Sequence, residues 1–184
     1  MKERHTRDLF VTVCGTSGGC ESWAQVELER VFRREFDIAK DADIREQSRV
    51  YDPVPGAQRS KVADFLLPQT DLLKGMVIEL KCENKNSKGG AFETPVQKDM
   101  DKRYEVNPKY KDHTFVAVAM AFTDKAQKAL IHLGMKPIDR ATQTVKGKGK
   151  MTAYKKNIPS SEEVTATMDD LSQTFAKLFI TPGN

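Results

Sequence analysis

The sequence contains few of the residues that form zinc sites, disulfide frameworks and histidine-dependent catalytic centres. Its 184 residues include three cysteines and three histidines. Cys14, Cys20 and Cys82 lack the paired spacing of zinc ligands. Their odd number argues against a disulfide framework, although Cys14 and Cys20 can pair in an oxidising setting. The histidines are scattered along the chain, so we expect no Ser-His-Asp or Cys-His arrangement.

Long apolar stretches are also absent. No segment approaches the roughly 20 apolar residues that span a bilayer, and the apolar run at 9–13 is too short for the core of a signal peptide. A hydrophobic content of 39% and a charged content of 30% suit a globular protein, and the net charge of +4 does not by itself require a nucleic-acid partner. We expect one domain, 1–184, with no membrane partner. It would be cytoplasmic, or secreted within a larger protein and delivered to a target cytosol.

The apolar run 76–82, Met-Val-Ile-Glu-Leu-Lys-Cys, predicts a buried strand. Alternation along a strand places Glu79 and Lys81 on one face and their apolar neighbours on the other. Burying two charges is costly unless they pair or bind a metal. A partly buried ion pair between Glu79 and Lys81 is therefore one interpretation, and a catalytic site is the other.

A second apolar run, 61–67, contains a single acid, Asp64, and ends at Pro68. The short connection between the two runs predicts neighbouring strands in a hairpin. If Asp64 and Glu79 share a face, their oxygens and a backbone carbonyl form a site suited to Mg²⁺ or Mn²⁺ rather than zinc. Asp52 is the competing acid, but it precedes Pro53 and is typical of a turn start.

Asp64 followed by Glu79-Leu80-Lys81 on the next strand resembles the motif of the PD-(D/E)XK nuclease superfamily, the fold of restriction endonucleases. The resemblance covers residues 22–133. It departs from the motif at Ala63, where the name of the family expects proline.

This resemblance implies a metal centre. Asp64, Glu79 and the carbonyl of Leu80 would hold one or two Mg²⁺ or Mn²⁺ ions. In the superfamily an acid from the first helix often joins the metal. Glu27, which falls inside the apolar face of that helix, is the candidate, and Glu21 is the alternative.

The resemblance also implies the remaining catalytic roles. Lys81 would position the attacking water or stabilise the charged transition state. Gln97, which opens the helical region after the motif as in many members, would fix that lysine or the phosphate.

The remaining pattern predicts an α/β protein. The resemblance gives it a restriction-endonuclease-like core, a central mixed sheet of four to five strands flanked by helices. Residues 1–21 would be a flexible lead-in, 141–161 a basic loop and 160–180 a C-terminal helix. The other expected elements are a helix over 22–36 with a capping box from Ser22 to Gln25, a strand ending at Asp52, a helix opening near Thr94 and Pro95, a fully buried strand over 114–122, and a helix that ends at Gly134 before a further strand.

Basic and aromatic side chains near these elements are candidates for nucleic-acid contact. Ordinary solvation is the alternative for each of the basic residues and for the segment that contains Tyr154, whose ring is able to stack on a base. The candidates are Arg59, Lys61, Lys85, Lys88, Lys146, Lys148, Lys150 and Tyr154.

We therefore expect a metal-dependent endonuclease. No feature of the sequence recognises a 2′-hydroxyl or a base edge, and we expect DNA ahead of RNA as the substrate. The small domain also looks like the toxin nucleases of bacterial contact-dependent systems, which implies an immunity protein as partner. The alternatives are a tRNA-cleaving RNase toxin and a catalytically inactive nuclease-fold module that binds nucleic acid. Either a monomer or a homodimer fits.

Overall fold

A computed structural model describes residues 19–47, 49–53, 61–70, 74–83, 92–145, 149–158 and 173. Within these ranges the protein has an α/β fold, as expected, with one mixed sheet of six strands. The helices are α1 (Gly19–Glu35), α2 (Glu93–Asp101) and α3 (Asp124–His132), with 3₁₀ turns at Lys102–Glu105 and Pro108–Tyr110. The strands are β1 (Arg45–Gln47), β2 (Ala63–Leu67), β3 (Met76–Cys82), β4 (Thr114–Ala121), β5 (Lys136–Val145) and β6 (Gly149–Ile158).

The sheet is open and has the strand order β1-β2-β3-β4-β6-β5. Strands β2 and β3 are antiparallel, which confirms the predicted hairpin. Strands β3 and β4 are parallel and joined through α2. Strand β6 lies between β4 and β5, antiparallel to both. The sheet therefore has one strand more than the four to five expected.

Strand β4 is the centre of the sheet, and all eight of its residues are buried. Its alternating side chains feed two apolar clusters, one on each face of the sheet. Val116, Val118 and Met120 pack with residues of α1 in the first cluster. Ala117 and Ala119, with other residues of β4, pack with residues of α2 and α3 in the second. The prediction of a central strand covered on both sides is confirmed.

Helix α1 begins three residues before the expected Ser22. Its buried stripe is Cys20, Ala24, Leu28 and Phe32, spaced four residues apart along one helical face. Cys20 is disulfide-bonded, and Cys82 is a buried free thiol. The predicted lead-in, 1–21, is wrong for its last three residues, which belong to α1, and residues 1–18 lie outside the described residues.

Helices α2 and α3 begin near their predicted starts. The Thr123 hydroxyl accepts a hydrogen bond from the Ala126 N–H and caps α3, while Gly134 follows its end with a φ of 74°. Glycine adopts this left-handed conformation without the strain that a β-carbon would introduce. No helix in the described ranges combines the length and apolar character needed to cross a bilayer.

The segment expected as a basic loop, 141–161, differs from the prediction over most of its length. Its described part, up to Ile158, continues β5 and forms β6. Met151, Thr152, Ala153 and Tyr154 are all buried, because β6 is paired on both sides. The lysines and glycines of this segment obscured that apolar run. The predicted C-terminal helix lies outside the described residues, except that Gln173 is helical.

Candidate active site at the free edge of strand β3

The hydrogen-bonded ladder between β2 and β3 covers only part of β3. Its last pair toward the end of β3 is Phe65 with Ile78. Beyond it, side-chain carboxylates replace the missing strand: the N–H of Leu80 donates to Asp64 Oδ2 at 2.7 Å, and the N–H of Cys82 donates to Glu21 Oε2 at 3.2 Å. Two acids, one from β2 and one from α1, thus line this edge.

Asp64 is held on both of its oxygens. Besides the Leu80 N–H, the Gln25 amide of α1 donates to its Oδ1 at 2.5 Å. Ala63 and Phe65 belong to different apolar clusters, so the regular alternation of β2 breaks at Asp64. Burial raises the pKa of this carboxyl, and the Leu80 N–H opposes that rise.

Glu79 is almost fully buried, with 2% of its surface exposed. The Tyr51 hydroxyl donates to its Oε1, and the Lys102 ammonium donates to its Oε2 at 2.7 Å. Burial raises the pKa of Glu79 to about 8, although the positive charge of Lys102 opposes the shift. Burial raises the pKa of Tyr51 as well, so the phenol stays protonated and remains a donor.

Asp99 of α2 links the two lysines of the site. It lies 2.9 Å from the ammonium of Lys102 through Oδ1 and 3.6 Å from that of Lys81 through Oδ2. Lys81 also pairs with Glu21 at 3.0 Å. Burial alone would lower the pKa of both ammonium groups, but the facing carboxylates outweigh it and the net shift is upward. Both lysines are therefore cations at neutral pH.

The ionised site carries more negative than positive charge. Four carboxylates face the two ammonium groups, an excess of two negative charges when all are ionised. A phosphate approaching this cluster would be repelled unless a further cation were present. The acids are Glu21, Asp64, Glu79 and Asp99, and the cations are Lys81 and Lys102.

The oxygens of the site fit a hard divalent cation in their chemistry. In a strand the N–H and C=O of one residue point to the same side, so the Leu80 carbonyl points, like its N–H, toward Asp64. The bonded oxygens of Asp64 and Glu79 each keep a second lone pair. The described residues contain no group of three or more His, Cys, Asp or Glu side chains arranged to hold an ion. The fit therefore consists of two carboxylates and one carbonyl, a set that Mg²⁺ completes with water.

Two of the predicted site residues lie apart from this cluster in the contacts they make. Glu27 pairs with Arg30, three residues along α1, at 3.1 Å. The amide of Gln97 donates to Asp101 at 2.6 Å on the exposed side of α2. Glu21, the alternative to Glu27, is the acid of α1 that reaches Lys81.

Three of the eight predicted nucleic-acid contacts, Lys61, Lys150 and Tyr154, lie in the described residues. Lys61 forms an ion pair with Glu105. Tyr154 is 4% exposed, and its hydroxyl donates to Gln127 at 3.3 Å, so the ring is not available to a base in this structure. Lys150 is in β6, with its side chain outside the description. Arg59, Lys85, Lys88, Lys146 and Lys148 lie outside the described residues.

Four contributors to the site were missed by the sequence analysis. Gln25 was assigned to a capping box, and Tyr51, Asp99 and Lys102 were given no role in the site. The one usable signal was the i, i+3 spacing of Asp99 and Lys102, which is typical of a paired acid and base on a helix. The competing acid Asp52 lies at an exposed position, where its carboxylate accepts a hydrogen bond from the Asn107 amide.

Comparisons of the chain with protein-family models, curated proteins and solved structures find no match.

Proposed function

We propose that this protein is a metal-dependent nuclease that hydrolyses phosphodiester bonds, with a restriction-endonuclease-like core. The observation that carries the proposal is that Asp64 lies where the β2–β3 ladder stops, near enough for its charge to raise the pKa of both Glu79 and Lys81. Here two carboxyl groups and a backbone carbonyl lie near ammonium groups, and ionisation of all four acids would leave an excess of negative charge that a divalent cation offsets.

In this proposal Asp64, Glu79 and the Leu80 carbonyl hold Mg²⁺ or Mn²⁺. A bound ion of this kind lowers the pKa of a coordinated water and offsets negative charge on a phosphate. Gln25 and Tyr51 position the two carboxylates, since each donates a hydrogen bond to one of their oxygens.

Lys81 would contact the substrate directly. Its side chain is 29% exposed, and Glu21 and Asp99 restrain it from two sides. A restrained ammonium stabilises the negative charge that develops on the phosphate oxygens without having to be reoriented during the reaction. Asp99 acts as a positioning residue for both Lys81 and Lys102.

The disulfide at Cys20 favours a protein that passes through an oxidising compartment. It supports the hypothesis of a secreted toxin domain over that of a resident cytoplasmic enzyme. Such a domain would need an immunity protein as partner, and DNA is the substrate that we expect ahead of RNA.

A second candidate function is a nucleic-acid-binding module without catalysis. The hydrogen bonds of the site favour this candidate. Both oxygens of Asp64 and both oxygens of Glu79 already accept hydrogen bonds from the protein. In that case Lys102 would permanently supply the positive charge that a metal supplies in the first proposal.

The two candidates are separated by cleavage of plasmid DNA and bulk tRNA. The wild type and Glu79→Gln are each incubated with Mg²⁺, Mn²⁺ or excess EDTA. The nuclease proposal expects cutting of one polymer that requires metal and is lost in the variant. Binding of either polymer without cleavage under any metal would favour the module instead.

A further inference from the structure

The 3₁₀ turn Lys102–Glu105 carries the most exposed large apolar side chain in the described ranges. Tyr104 is 73% exposed, although an aromatic ring of this size usually buries much of its surface. The guanidinium of Arg103 lies over the ring, 4.3 Å from its centroid, and also donates to its hydroxyl. A planar cation and an aromatic ring are thus already stacked at the surface.

This stacked pair is adjacent to the candidate active site. Lys102, the first residue of the same turn, reaches Glu79 at 2.7 Å. Tyr104 follows two residues later, within one turn of the chain. The backbone at Tyr104 is therefore close to a residue of the candidate site.

The segment around the ring is positively charged. Residues 102–111 include four basic residues and a single acid, Glu105, which is paired with Lys61. A second cation and ring, Lys109 and Tyr110, lie 5.4 Å apart further along the segment. Cations interleaved with aromatic rings are typical of surfaces that bind the backbone and bases of single-stranded nucleic acid.

We propose that Tyr104 and Arg103 form a stacking subsite for an unpaired base next to the bond that is cleaved. The inference rests on the proposed nuclease function and adds a substrate class to it: single-stranded or locally unpaired nucleic acid. A duplex keeps its bases stacked on one another and offers the ring no free base face, whereas a single strand offers one at every nucleotide.

The test is binding of a short fluorescent DNA strand, alone or annealed to its complement, in EDTA. All proteins carry Glu79→Gln, so that no substrate is consumed. Adding Tyr104→Ala should weaken single-strand binding by about 5- to 100-fold and duplex binding by less than about twofold. Adding Tyr104→Phe should keep single-strand binding within about threefold, because the ring remains. Ile131→Ala on α3, another exposed apolar residue, is the matched control and should change neither.

The salt dependence of binding provides a second readout. Tyr104→Ala removes no charge, so the slope of log affinity against log salt should stay the same. Arg103→Gln should reduce that slope by about 0.7 on the single strand. A change in fold stability alone would not separate the two variants in this way.

Three outcomes decide the matter. Single-strand binding unchanged in Tyr104→Ala, with the parent still binding, would overturn the stacking subsite and leave the nuclease proposal intact. Equal losses on single strand and duplex would also overturn the subsite, because the ring would then not select unpaired bases. If neither the parent in EDTA nor the wild type in Ca²⁺ binds either form at any salt concentration, the nucleic-acid substrate itself is refuted, and the subsite with it.

Discussion

Two glutamates four residues apart on the chain, Glu79 within β3 and Glu83 directly after it, are almost equally buried. They differ in what surrounds them. Glu83 accepts from the N–H groups of Phe122 and Thr123 at 2.7 and 2.9 Å, and from the Thr123 hydroxyl at 2.7 Å, where α3 begins. Glu79 accepts from a phenol and an ammonium that come from distant parts of the chain.

The hydrogen-bond donors around a buried acid distinguish a structural role from a role in the candidate site. Peptide donors at the start of a helix are fixed by the fold, and they favour a carboxylate there. Glu83 therefore connects β3 to α3 and is structural. The partners of Glu79 are side chains that can move, and a third acid, Asp64, is near enough to raise its pKa further. Its surroundings are those of a reactive group.

The comparison between Glu79 and Glu83 is tested most strongly at Asp64, the acid proposed to hold the metal together with Glu79. Asp64→Asn keeps an acceptor oxygen for the Leu80 N–H but removes the negative charge that a metal needs. We expect nuclease activity to fall by at least about 100-fold with little change in stability. Asp52→Asn, at an exposed turn, is the control and should retain activity. Equal activity in both variants would contradict the metal-ligand role.

Substitution of Glu83 should lower the stability of the fold. Glu83→Ala leaves the buried Phe122 N–H without its acceptor, and we expect the free energy of unfolding to fall by about 3 kcal/mol in urea denaturation. Glu93→Ala removes an exposed carboxylate paired with His132 and should cost less than about 1 kcal/mol. If the two substitutions had similar costs, Glu83 would not be the structural member of the pair.

The pH dependence of stability should identify Glu79. Its pKa is about 8 in the folded protein against 4.5 in the unfolded chain. A raised pKa means that this contribution is fully present below the unfolded value and is lost as pH rises through the folded one. Between pH 4.5 and 8 the wild type should therefore lose stability relative to Glu79→Gln, by on the order of a few kcal/mol. Urea denaturation across this range measures the difference, and parallel curves would refute the shift.

The smallest expected effect concerns Lys102, which in the proposed site would compete with a metal for Glu79. Lys102→Met removes the ammonium from Oε2 and should tighten Mn²⁺ binding by about tenfold in calorimetric titration. Lys109→Met removes an exposed cation from the same segment and serves as control. An unchanged Mn²⁺ affinity in Lys102→Met would mean that the ammonium and the metal do not compete.

The sheet was largely predictable because its central strands are continuous apolar runs. Strands β2, β3 and β4 each correspond to such a run, and the alternation of β3 gave the shared face of Glu79 and Lys81. Strand β6 was missed because five lysines over 141–161 concealed a short buried run. A sequence pattern indicates how side chains alternate within a segment, but not whether other strands pair with both edges of that segment.

The site was predictable only where it lies on those strands. Lys102 and Gln25 reach it from helices 23 and 39 residues away from their partners. Their contacts depend on where α2 ends over the sheet and on how α1 crosses it. Neither the end of α2 nor the path of α1 across the sheet can be deduced from the local spacing of residues. Lys102 therefore had an equally good local explanation as a solvated side chain, and Gln25 as a capping side chain.

The most direct test of the proposed metal site is calorimetric titration of three proteins with Mn²⁺: the wild type, Glu79→Gln and Glu83→Gln. The account predicts a Mn²⁺ site in the wild type that is lost in Glu79→Gln and kept in Glu83→Gln, because only the first glutamate is a ligand. A wild type that binds no Mn²⁺, or a Glu79→Gln variant that binds it as tightly as the wild type, would contradict the account.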